Sequence, residues 1–60
     1  MDKENFEKFK EIYLKRFRKY YRNCTNNAQR KRLKQTVLDN ISLNEKQKNQ
    51  FWEEVVSNER

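Results

Sequence analysis

Sixty residues carry fifteen Lys and Arg against nine Asp and Glu, giving a formal net charge of +6, a pI near 9.7 and an apolar fraction of 33%. A chain this short makes at most one domain and buries only about 60% of its unfolded surface, which excludes a large enclosed substrate cavity and most enzymes. The absence of Gly, Pro and His further excludes glycine-rich phosphate loops, tight hairpins, most β architectures, the common zinc sites and His-based catalysis.

Asp2 is placed to cap a first helix running to about Arg22. At helical spacing, Phe6, Phe9, Tyr13, Leu14, Phe17, Tyr20, Tyr21 and Cys24 fall on one broad apolar stripe. Glu7, Lys8, Glu11, Lys15, Arg18, Lys19 and Arg22 fall opposite it. Lys10 is the one charge inside the stripe, and its stem is expected to pack while its ammonium reaches water.

Asn23-Cys24-Thr25-Asn26-Asn27 reads as a turn, because Asn tolerates unusual backbone angles and Thr or Asn caps the helix that follows. A second helix from about Asn26 to Asp39 lines up Leu33, Val37 and Ile41, with Leu38 beside them. Ser42-Leu43-Asn44-Glu45 has the spacing of a capping box, Ser at the cap and Glu three residues on. It opens a third helix to about Ser57, with Phe51, Trp52, Val55 and Val56 as a compact apolar patch.

Loops this short make sequential helices neighbours. The expected fold is all-α, a small three-helix bundle of helix–turn–helix-like outline that forms a single domain over residues 1–60. Its expected core is Phe6, Phe9, Tyr13, Phe17, Leu33, Val37, Ile41, Phe51, Trp52 and Val55. The first stripe is wider than two sparsely apolar helices need, so part of it is expected to meet a partner, a second copy of the chain being one candidate. High charge and low hydropathy lie near the disordered regime, but eight aromatic residues argue for a folded, marginally stable chain.

No apolar run approaches the roughly 20 residues of a membrane span, and Met1-Asp2-Lys3-Glu4-Asn5 does not read as a secretory signal. Cys24 has no second thiol to pair with. A cytoplasmic location without disulfides is expected.

The charge map is the main functional signal. Between Ile12 and Leu38 there are nine cations and no acid: Lys15, Arg16, Arg18, Lys19, Arg22, Arg30, Lys31, Arg32 and Lys34. The dipole of the first helix accounts for Lys19 and Arg22 near its C-terminus. It does not account for Arg30, Lys31 and Arg32 in the first turns of the second helix, where positive charge is disfavoured. Such an elbow is suited to a polyanion. Nucleic acid fits best, DNA before RNA, since Arg offers forked donors to phosphate and five of the nine cations are Arg.

Lys46, Gln47 and Gln50 at the start of the third helix are candidate base readers, because Gln can pair with adenine in the major groove. Tyr20 and Tyr21 are expected in the core with their hydroxyls at its rim, although their basic surroundings also suit base stacking. Trp52 is expected at the core or its edge, with an interface anchor as the alternative. The expected function is therefore a small basic regulatory protein that grips phosphates. The alternative is an inhibitor or adaptor, of the kind a virus or mobile element encodes, docking an acidic or helical protein on the aromatic face of the first helix. No catalytic residue, metal or cofactor is expected.

Overall fold

A computed structural model of the chain describes residues 1–57 as three helices in the order α1 (Lys3–Asn23), α2 (Asn27–Leu38) and α3 (Glu45–Ser57). The all-α three-helix bundle expected from the sequence is what forms. α1 packs most extensively on α3, and α2 closes against both. No strand is present among the described residues.

Each helix starts where a short polar side chain can take an amide that the helix leaves unpaired. Asp2 Oδ1 accepts the Asn5 amide at 2.8 Å, and Asn26 Oδ1 accepts the Gln29 amide at 2.9 Å. The Gln29 side chain reaches back to accept the Thr25 amide at 2.7 Å, so the turn and the first turn of α2 lock together. α1 ends at Cys24, whose thiol donates to the Tyr20 carbonyl and whose amide donates to that of Tyr21.

The start of α3 differs from expectation. Its reciprocal cap is Asn44 and Gln47, not Ser42 and Glu45: Asn44 Oδ1 accepts the Gln47 amide at 2.8 Å and Gln47 Oε1 accepts the Asn44 amide at 3.1 Å. Asn40 Oδ1 accepts the Ser42 amide at 2.9 Å in a local turn. That turn lets Leu43 drop inward, and the chain becomes helical only at Glu45.

The buried core is Phe6, Val37, Leu43, Phe51 and Val55, with Phe9, Leu14, Phe17, Tyr21 and Trp52 packed around it. Phe51 is fully enclosed at 0% exposure, and its ring centroid lies 5.2 Å from those of both Phe9 and Phe17. Such tilted and edge-on pairs contribute about 0.5–1.5 kcal/mol each beyond the burial of their area.

Ile41 is a correction. It is 98% exposed, and Leu43 at 4% holds the place expected for it. Its alignment with Leu33 and Val37 assumed a helix that continues, whereas α2 ends at Leu38. Leu33 is half-buried, and Tyr13 lies on the surface above the core.

Lys10 also departs from expectation. Its side chain is 12% exposed, and its ammonium pairs with Glu7 at 3.2 Å and Glu54 at 3.3 Å rather than reaching out to water. It also lies 5.0 Å from the Phe6 ring centroid, within cation–π range. Burial alone lowers its pKa, but the hydrogen bonds and charges of Glu7 and Glu54 more than offset this, so it lies above the usual lysine value.

Candidate nucleic-acid interface

The bundle divides the nine cations among several faces. Lys15, Arg18, Lys19 and Arg22 recur at i, i+3, i+4 and i+7, so α1 carries them along one side away from its apolar stripe. With Asn23 they border a shallow depression of about 520 Å³. Arg30, Lys31 and Lys34 join Asn27 and Trp52 around a second recess of about 250 Å³ between α2 and α3. Arg16 and Arg32 lie outside both.

Several of these side chains have defined partners within the fold. Arg18 is half-buried, and its Nε and Nη2 donate to the Glu54 carbonyl at 3.3 and 3.2 Å. That carbonyl belongs to the last turn of α3, where it also accepts from the Ser57 hydroxyl at 3.4 Å and where a guanidinium complements the negative end of the helix dipole. Arg18 therefore joins α1 to α3 across the bundle. Arg30 Nη1 donates to Asn27 Oδ1 at 3.1 Å, and its guanidinium carbon lies 5.9 Å from the Tyr21 ring centroid. Arg16 stacks in the same way on Tyr13, also at 5.9 Å.

Among the described residues, Lys15, Lys19, Lys31, Arg32 and Lys34 are exposed and make no ion pair with a carboxylate. No acid occupies the first turn of α2. Positive charge on these faces is therefore open to solvent and salt.

The three candidate base readers are dispersed in their tasks. Gln47 completes the α3 cap, and its Nε2 donates to the Met1 carbonyl. Gln50 donates to Glu54 Oε2 at 3.2 Å. Lys46 is exposed. Reading a base with Gln47 would mean giving up its bond to the Asn44 amide.

The adjacent tyrosines separate. Tyr21 is half-buried and meets Trp52 edge-to-face, with ring centroids 5.6 Å apart and planes at 83°. Tyr20 is 52% exposed, outside the core expected for it, and only flanks Phe17 at 6.0 Å. Trp52 is half-buried at the core edge, part of its surface lining the second recess. Sequence reasoning missed the grouping of Tyr21, Arg30 and Trp52, and the hub at Glu54. Both join residues far apart in the chain, and no local spacing signals either.

No group of three or more His, Cys, Asp and Glu able to hold a metal ion occurs among the described residues. None of the described helices is long and apolar enough to cross a membrane. Compared with protein-family models, with curated proteins and with solved structures, the chain matches none at a significant level.

Proposed function

We propose that this chain is a small nucleic-acid-binding regulatory protein that holds phosphates through its basic faces. One observation carries the reading: among the described residues, the exposed Lys15, Lys19, Lys31, Arg32 and Lys34 make no ion pair with a carboxylate, in a stretch of sequence without an acid from Ile12 to Leu38. Lys15 and Lys19 on α1, and Lys31 and Lys34 on α2, are the side chains whose ammonium groups are available to phosphate. Arg22 and Arg30 border the same two depressions and add forked donors. Arg18 acts mainly within the fold.

The salt dependence of binding tests this. Four to five phosphate contacts give a slope of log K against log salt of about −4 on duplex DNA and about −3 on a single strand. Replacing Lys15, Lys19, Lys31 and Lys34 by Gln should remove most of that slope and leave the helical content unchanged, because exposed charges contribute little to stability. A folded wild-type chain that binds neither DNA nor RNA at low salt refutes the reading.

A second reading is favoured by a groove of about 200 Å³ beside α1, lined chiefly by Phe9, Tyr13, Phe17, Val37, Leu43 and Phe51. Arg16 lies 5.9 Å from the ring centroid of Tyr13, one of the lining residues, so an acidic helical protein presenting one apolar side chain is the occupant this groove suits. Binding of that kind would survive the four Lys→Gln substitutions and fail on Tyr13→Ala.

A further inference from the structure

The recess between α2 and α3 differs in kind from the basic face of α1. It combines three cations, Arg30, Lys31 and Lys34, with the indole of Trp52, and among the described residues no carboxylate lines it. Its volume of about 250 Å³ falls below the range of about 300–1,000 Å³ typical of pockets for whole drug-sized ligands. One flat ring with an anion at its edge is the scale of group it accommodates.

Two of the lining groups are held in place before any ligand arrives. Tyr21 fixes the indole edge-to-face at 5.6 Å. Asn27 Oδ1 and the Tyr21 ring together orient the Arg30 guanidinium. Arg30 and Lys31 stand in the first two turns of α2 and Lys34 begins the third; the helix dipole is positive at that end, and its first turn has no acid. Charge of one sign is thus concentrated beside an aromatic surface, an arrangement that an anion relieves.

We infer that this recess binds single-stranded nucleic acid, one base lying on Trp52 and the adjoining phosphate among Arg30, Lys31 and Lys34. The inference rests on the nucleic-acid reading above and narrows it to one class of strand. In a duplex the faces of the bases are covered by their neighbours, and only edges line the grooves. A ring set in a recess reaches a base face only if the base is already unpaired or is flipped out. Stacking on an aromatic floor with cations along the backbone is the general physics of single-strand binding.

Trp52 is the only tryptophan in the chain, so its emission comes from one indole, part of whose surface lines the recess. The experiment titrates the full chain at low salt with an oligothymidylate of about 12 nucleotides, within the usual footprint of such sites, and separately with a duplex of equal length. Fluorescence of the indole and anisotropy of an end-labelled strand are read together. The single strand should quench Trp52 to saturation with the same midpoint as the anisotropy change. The duplex should change anisotropy with little quenching.

Trp52→Leu keeps an apolar side chain against Tyr21 and should weaken single-strand binding roughly 5- to 100-fold, with duplex binding unchanged. Should that variant lose its helical circular dichroism, Lys31→Gln with Lys34→Gln on the native indole replaces it. That pair should flatten the single-strand salt slope by about 1.4. Salt-dependent binding of the single strand with unaltered Trp52 emission overturns the inference while leaving the nucleic-acid reading standing. Equal quenching by duplex and single strand does the same. No anisotropy change with either strand overturns both.

Discussion

Leu43 and Ile41 offer a direct test of how the chain leaves α2 and enters α3. Leu43→Ala removes three carbons from a side chain only 4% exposed and packed with Phe6, Val37, Phe51 and Val55. At roughly 0.8 kcal/mol per buried carbon this costs about 2.4 kcal/mol. Leu43 also lines the groove beside α1, so the void joins an open space and adds little enclosed cavity. Ile41→Ala removes an equally large side chain that is 98% exposed and should change stability by less than about 0.5 kcal/mol. A chain of this length has a total stability of about 3–9 kcal/mol, so Leu43→Ala should remain foldable yet melt about 10–19 °C lower. Urea and thermal unfolding followed by far-ultraviolet circular dichroism measure both. Equal losses, or a larger loss at Ile41, would mean that α2 continues through Ile41 and that the turn described above is wrong.

The cap of α3 gives a second test: Asn44→Ala should cost about 0.5–2 kcal/mol, whereas Ser42→Ala should be nearly silent, a difference that the same urea midpoints resolve. Lys10 gives a third. Its pKa is raised in the folded state, so its contribution is fully present below the unfolded value of 10.5 and is lost as pH rises through the higher folded value. Urea midpoints of the wild-type chain should therefore fall across that alkaline window more steeply than those of Lys10→Met, and parallel curves would show that the pairing with Glu7 and Glu54 contributes no linkage.

The most legible part of the molecule is α1. Its apolar residues repeat at helical spacing over five turns, Asp2 supplies a cap, and neither Gly nor Pro interrupts it. The charge asymmetry was equally plain, since it needs only a count along the chain. Where reading by spacing stopped working was the segment from Asp39 to Asn44. There Ser42–Glu45 and Asn44–Gln47 both have the composition of a capping pair, and Ile41 and Leu43 are both apolar. Local propensity does not separate these alternatives. Burial of Leu43 beside Phe51 and Val55 does, because one register encloses a leucine in the core and the other leaves it in water.

The sequence alone determined that this chain is helical, where its longest helix lies, and that its positive charge is gathered in the middle. These follow from nearest-neighbour geometry and residue identity, which the chain carries without reference to its fold. Only the tertiary structure decided which cations act inward and which face solvent. Arg18 meets the Glu54 carbonyl across 36 residues, Lys10 meets the Glu54 carboxylate across 44, and Arg30 lies on Tyr21 beside Trp52. Long side chains can turn toward several partners at similar local energy. The helices brought alongside by hydrophobic burial determine which partner is within reach.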